Sequence, residues 1–280
     1  MPLLELFDET LDINSTEHYE LSVQVSSDEL SFSLLDTLRN KFLLLRSYEP
    51  EGSVKYDINR LRELITTDDF LTRRFRKVNI VTPSFKSTLV PAPLFEESKK
   101  DEYFRFNLQV SDGESILTNR LPEPEAFILF SLQDQLVGFL RDIFKTANLL
   151  HHLKPLFYQI YLNRRGAGND YVHIHLEKEF LTLIVFDQNS LQFCNTFTYK
   201  TLSDIQYYVL YVLKSLGISQ DEAVFFSGRT VLEDGRFSDL QNNLRNLEPA
   251  EPRGNFTFSY VFNEINLHRY INIFSSVNCE

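Results

Sequence analysis

Leu21–Tyr48 reads LSVQVSSDELSFSLLDTLRNKFLLLRSY, and Val172–Tyr199 reads VHIHLEKEFLTLIVFDQNSLQFCNTFTY. With a shift of 151 positions the two segments align without a gap: Leu30 falls on Leu181, Asp36 on Asp187, Phe42 on Phe193 and Tyr48 on Tyr199. Apolar positions ahead of these identities also coincide, with Leu21, Val23 and Val25 on Val172, Ile174 and Leu176. A duplication of this period restricts the architecture far more than local propensity does.

Each copy alternates apolar and polar residues with period two, the pattern of half-buried strands. In the first copy, strands are predicted over 19–26, 29–36 and 40–48, then a helix in which Ile58, Leu61, Leu64 and Ile65 recur at helical spacing, then the strand Val78–Val81. The second repeats this order, with strands near 171–177, 180–187 and 191–198, a helix near 202–216 and a strand at Ala223–Phe226. Between the copies, Lys86–Pro93 reads as an edge strand because Pro91 and Pro93 cannot serve a central ladder. Glu96–Arg105 reads as a charged helix, and Ala126–Ser131, Gln133–Lys145, Leu149–Leu153 and Pro155–Asn163 as strand, helix, strand and helix. Two glycines make residues 164–170 the natural hinge. The expected organisation is an acidic lead-in at 1–18, a first domain at 19–163, the hinge, and a second domain at 171–280.

Such halves, together with AFILFSLQDQLVGFLRDIFKTANLLHHLKPLFYQIYL at 126–162, resemble the duplicated actin-like ATPase fold, a relative of the ribonuclease H-like fold. The resemblance is to pilus-assembly and cell-division actin-like proteins and to an uncharacterised bacterial family of unknown function that keeps this fold. It implies an α/β protein of two similar domains, each a mixed five-stranded sheet flanked by helices.

Nucleotide-binding members of that fold hold phosphates on two Asp-x-Gly turns, where glycine lets backbone N–H groups approach and the aspartate organises magnesium. At the matching places this chain has Ser26, Ser27 and Asp28 after Val25, and Glu177, Lys178 and Glu179 after Leu176. Neither turn has glycine, and the second sets two carboxylates where an anionic phosphate would lie. The adenosine-binding glycine pair of the family is reduced to Ser227-Gly228-Arg229. No catalytic residue is assigned, and neither ATP nor magnesium is expected as a cofactor. The first strands, Leu-Ser-Val-Gln-Val and Val-His-Ile-His-Leu, carry no acid, which removes a two-metal nuclease.

His173 and His175 share one strand face, which Glu177 continues, but a metal site lacks a third ligand at recognisable spacing. A polar face opposite Val172, Ile174 and Leu176 explains the pair more simply. His151 and His152 are expected on opposite faces of a strand, unable to chelate together. The helix holding Ile205, Tyr207, Tyr208, Val209, Leu210, Tyr211, Val212 and Leu213 is apolar or aromatic almost all round. Burial between layers is the simpler expectation for it. If exposed, Tyr207 and Tyr211 become the candidate partner-binding residues.

The 280 residues carry a net charge of −11, which disfavours a nucleic-acid surface. Arg73, Arg74, Arg76 and Lys77 are expected at a helix end, where cations suit the dipole. With 43 % hydrophobic residues the chain is an ordered globular protein, and its two cysteines fit neither a disulfide framework nor a metal site. The N-terminus does not read as a signal peptide, and no apolar run is long enough to span a membrane, so a cytoplasmic protein is expected. The leading functional reading is a non-catalytic binding or scaffold protein with an unidentified protein partner. One alternative is a divergent ATPase or sugar-kinase-like phosphotransferase using Asp28, Asp36 or Asp187. Another, implied by the pilus-type resemblance, is a peptide-binding platform of a membrane-associated assembly.

Overall fold

The computed structural model describes residues 2–52, 54–164, 171–188, 190–229 and 243–279; residues 165–170 of the expected hinge lie outside these. The chain divides into two compact units: Met1–Tyr158 with Arg253–Ile265 and Asn272–Glu280, and Gln159–Pro252 with Asn266–Ile271.

In the first unit, β1 (Leu4–Phe7), β2 (Tyr19–Val25), β3 (Leu30–Asp36), β4 (Lys41–Tyr48), α1 (Ile58–Thr67), β5 (Lys77–Thr82), β6 (Ser87–Pro91) and α2 (Lys100–Asn107) come first. They are followed by β7 (Glu114–Leu121), β8 (Ala126–Gln133), α3 (Asp134–Ile143), β9 (Asn148–His151) and the start of α4 (Leu153–Arg164). The second unit holds β10 (Tyr171–Leu176), β11 (Phe180–Phe186), β12 (Leu191–Thr198), α5 (Leu202–Leu216), β13 (Ala223–Gly228) and β14 (Asn246–Pro249). β15 (Thr257–Phe258) returns to the first unit.

The duplication is visible in the hydrogen-bond ladders. The first unit orders its central strands β4-β3-β2-β5-β9 and the second β12-β11-β10-β13-β14, with the last two strands of each added in parallel. Val25 pairs with Leu30 as Leu176 pairs with Leu181, and Leu21 with Leu34 as Val172 with Val185. Both second strands bulge at the same place, between Leu34 and Leu35 and between Val185 and Phe186. The next pairing has slipped: Leu30 faces Tyr48, whereas Leu181 faces Phe197 rather than Tyr199. A slip of two residues leaves every side chain on its original face, so the core tolerates it.

Three features depart from the sequence expectation. Among the described residues the first sheet has seven strands rather than five, because Leu4–Phe7 and Thr257–Phe258 both pair with β4 along its outer edge. β4 is therefore buried almost throughout, while its counterpart β12 stays half-exposed. β8 leaves the main sheet: it is the centre of a separate three-stranded antiparallel sheet, β6-β8-β7, and β7 was not anticipated. This small sheet packs on α2 through Val90, Phe104, Ile116 and Leu129.

The third departure is the end of α1. It starts on Asp57, whose side chain accepts from the Arg60 N–H, and stops at Thr67. Arg73, Arg74 and Arg76 therefore lie in the loop beyond and Lys77 in β5. The helix stops because Asp68 is drawn elsewhere. Its buried carboxylate accepts from the Phe70 and Leu71 N–H groups, from the Tyr48 hydroxyl at 2.7 Å and from Arg46 Nη1 at 2.7 Å. Burial, then Asp68, pushes the Tyr48 hydroxyl well above the usual tyrosine range.

In the second unit α5 opens with a capping box between Thr201 and Asp204 and closes on Gly217 in the left-handed conformation. Its inner face, Ile205, Val209, Val212 and Leu213, packs on Val172, Ile174, Leu183 and Val224. No helix among the described residues is long and apolar enough to cross a membrane.

Candidate functional site

The two turns that correspond to phosphate loops are closed on themselves. Ser26 N–H donates to the Glu29 carbonyl at 2.9 Å, and Glu177 N–H donates to the Phe180 carbonyl at 2.9 Å, the same bond in each copy. Ser26 Oγ donates to Asp28 Oδ1 at 2.7 Å and accepts from the Asp28 N–H, while the Ser27 carbonyl accepts from Tyr56 N–H. Glu29 is buried and receives the Ser31 hydroxyl. In the second copy the Glu177 carbonyl accepts from the Tyr199 hydroxyl and the Glu179 carbonyl from the Tyr199 N–H. The Ser26, Asp28 and Glu177 N–H groups are thus spent within the hairpins rather than left to cradle a phosphate.

The acids named for the phosphotransferase alternative are also committed locally. Asp36 accepts from Leu38 and Arg39 N–H, Asp187 from Ser190 N–H and Gln192 Nε2, and Asp28 from Ser26. Asp36 is the last residue of β3 and Asp187 the first beyond β11, so this identity between the copies caps a turn.

The residues of the second degenerate turn and of the degenerate adenosine motif do meet. β10 and β13 run parallel with His175 beside Ser227 and Leu176 beside Gly228. Ser227 Oγ lies 2.7 Å from His173 Nε2 and 2.8 Å from His175 Nδ1, and His175 Nε2 lies 3.2 Å from Glu177 Oε1. A carboxylate accepts, so His175 donates through Nε2 to Glu177, and the Ser227 hydroxyl bridges the two imidazoles. His173 Nδ1 has no hydrogen-bond partner among the described residues. Burial, followed by the charge at His175, lowers the His173 pKa to about 3. Serine, histidine and carboxylate in series are the parts of a nucleophilic relay, but Ser227 is fully buried and no substrate reaches its hydroxyl. The cluster is a polar seam between two core strands. No metal-holding group of histidine, cysteine or acidic residues occurs among the described residues.

His151 and His152 are not on opposite faces: their rings lie 4.3 Å apart, because β9 ends at His151 and alternation stops there. His151 Nε2 donates to the Ser84 carbonyl and Nδ1 accepts from Leu153 N–H, so both nitrogens are used by the neutral ring. Burial lowers its pKa to about 3.

Burial all round is not the state of α5. Tyr207 and Tyr211 are 62 % and 60 % exposed, with rings stacked at 5.9 Å. Helical periodicity, more than composition, sorts its residues: Ile205, Val209 and Val212 face inward and Tyr207 and Tyr211 outward.

The first unit also carries a groove of about 430 Å³ that no sequence signal marked. Residues 116–120 of β7, residues 147–150 at β9, and the side chains of Lys100, Arg141 and Lys154 line it. Its cations come from four separate elements, which is why no local run of charge announced it.

Comparison with known proteins now gives the lineage. Residues 8–247 match the family described as "Protein of unknown function (DUF3822)". The chain belongs to the DUF3822 family. Among solved structures it is similar to a protein from Bacteroides thetaiotaomicron VPI-5482 described as having an actin-like ATPase fold and unknown function. That likeness has a TM-score of 0.82 and 22 % identity, covering 97 % of this chain and 100 % of that one. A structure described as the PilM–PilN type IV pilus biogenesis complex follows at a TM-score of 0.60 and 13 % identity, covering 92 % and 98 %. No curated protein matches. This DUF3822 protein therefore has the actin-like ATPase fold, with two mixed sheets flanked by helices.

Proposed function

We propose that this DUF3822 protein is a non-catalytic binding or scaffold module whose fold has been kept and whose nucleotide chemistry has been lost. The observation that carries this reading is the closure of both phosphate-loop equivalents by the same hairpin bond, Ser26 to Glu29 and Glu177 to Phe180. A phosphate would have to break these bonds and displace Glu177 from His175, at a cost that its own contacts would first have to recover. Calorimetry with ATP and magnesium tests the reading. No saturable heat is expected, and tight, magnesium-dependent binding overturns it.

Partner binding supplies the positive side of the proposal. Two observations favour it: the exposed Tyr207–Tyr211 stack on α5 and the cation-lined groove of the first unit. Tyrosines with an apolar face and polar tip are frequent interface anchors. The similar pilus protein is described in complex with another protein, PilN, so docking a partner is a use to which this fold lends itself. Recovery of a protein partner by the wild-type chain but not by Tyr207→Ser/Tyr211→Ser or by a groove variant tests this side. Undiminished recovery by both variants overturns these two surfaces as the docking sites.

A further inference from the structure

We infer that the groove at β7 and β9 takes an extended acidic peptide, held by carboxylate contacts to Lys100, Arg120, Arg141 and Lys154 and by hydrogen bonds to an open strand edge. The inference rests on the binding-module reading and names the chemistry of its partner.

Charge is the first argument. The protein carries 39 acidic and 28 basic residues, yet four cations and no acidic side chain among the described residues line this groove. Lys100 meets Glu97 at 3.1 Å and Arg120 lies 3.8 Å from Glu125 outside it. Such exposed pairs are weak and exchange readily for a better-placed anion. Lys154 is 8 % exposed and stands in the first turn of the twelve-residue helix α4, which has no acidic residue there. A cation at that end opposes the helix dipole. An anion arriving in the groove is favoured by the N-terminal end of α4 as well as by the cations around it.

The second argument is the shape of the lining. A strand that presents a face to a cavity contributes alternate residues, whereas one that presents its edge contributes consecutive ones. Residues 116–120 and 147–150 line the groove consecutively. β7 pairs only with β8, and β9 only with β5, so each is the last strand of its sheet among the described residues. Asn119 already uses part of the opposite edge, donating to the Leu149 carbonyl at 3.0 Å and accepting from His151 N–H at 2.7 Å. Its side-chain amide imitates the bonds that a strand would make there. An extended chain added beside β7 would find main-chain partners over the run of residues 116–120, a length of about 17 Å. Backbone pairing explains why the ligand is a peptide rather than a small polyanion.

Fluorescence anisotropy with a labelled peptide of about eight residues alternating Glu and Val tests the inference. The full chain is expected to bind it saturably. The Arg120→Glu/Arg141→Glu variant, altered only at exposed side chains, is expected to bind it at least about tenfold more weakly. A Lys/Val counterpart is expected not to bind, and N-methylation of alternate amides to weaken binding by about tenfold. Absence of saturable binding up to about 1 mM, or binding indifferent to the double variant, overturns the proposal. So does full displacement by inorganic triphosphate with the N-methylated peptide binding undiminished, which would reassign the groove to small polyanions. Arg120→Gln/Arg141→Gln, with an unchanged circular dichroism spectrum, guards against misfolding of the charge-reversed variant. Failure here leaves the calorimetric result with ATP untouched, so the two readings fall separately.

Discussion

Gly228 stands with its Cα against the carbonyl oxygen of Leu176. A Cβ at this position would lie 2.1 Å from that oxygen and 2.9 Å from His175 Cε1, on a backbone whose φ is +84°. Both the clash and the left-handed conformation exclude a side chain. The same Leu176 oxygen accepts from Arg229 N–H at 2.7 Å, so the strand cannot retreat without losing a bond. Gly228→Ala is expected to destabilise the protein by about 3 kcal/mol. Urea unfolding checks this, as a lower midpoint at unchanged slope. The glycine that survives from the adenosine motif is thus required for strand closure without any nucleotide.

Acid should weaken the protein before its carboxylates titrate. His151 and His173 are held neutral, with pKa values lowered to about 3 by burial. Unfolded, each binds a proton near pH 6.5, so the unfolded state is the more protonated between about 6.5 and 3. Stability is full above that window and falls as pH drops through it, by about 1.4 kcal/mol per pH unit for each histidine. For Asp8, burial is outweighed by bonds from Lys41, Ser259 and Thr10, and its pKa is lowered. Its contribution is present above about pH 3.8 and is lost only below that. Between about pH 6 and 4 the histidines therefore dominate among these groups. Stability measured against pH, with an imidazole NMR titration showing both rings neutral down to about pH 4, checks the assignment.

Arg46 is the second buried charge that the fold depends on. Its guanidinium meets Asp68 and Asp69 at 2.7 Å and Glu5 at 2.5 Å, and lies over the Phe70 ring at 5.3 Å. Asp68 has no exposed side-chain surface. Arg46→Met would leave that carboxylate buried with only neutral donors, and a loss of about 3–5 kcal/mol is expected. Arg60→Ala, which removes the exposed pair with Glu63, should stay within about 0.5 kcal/mol. Chemical denaturation of the two variants side by side measures the contrast.

Much of the architecture was legible because period two and the long repeat report burial directly. The hairpins around Ser26–Glu29 and Glu177–Phe180 and both crossover helices fall where the pattern set them. What escaped has a physical reason in each case. Leu4–Phe7 and Thr257–Phe258 are strands of four and two residues, too short to show alternation, and pair only because the edge of β4 is open to them. β7 alternates weakly because only Ile116 and Leu121 are buried. At the site, His173 and His175 could be placed on one face from spacing alone. Ser227, which joins them, lies 52 residues beyond His175 and arrives only through the parallel register of β13.

The two faces of α5 give the sharpest separation of packing from binding. Val209 is fully buried against Val172, Ile174 and Leu183, whereas the outward tyrosines rest chiefly on each other and on Tyr208. Val209→Ala removes two buried methyl groups and should cost about 2 kcal/mol. Tyr207→Ser/Tyr211→Ser removes a larger area, but one already in water, so a change within about 1 kcal/mol is expected. Thermal unfolding of both variants checks the ordering. If the tyrosine pair proved as costly as Val209, the stack would belong to the core of the second unit and its assignment as a docking surface would fall. If it is neutral for stability, no folding requirement accounts for two large aromatics held in contact on a solvent face, and a partner becomes their simplest explanation.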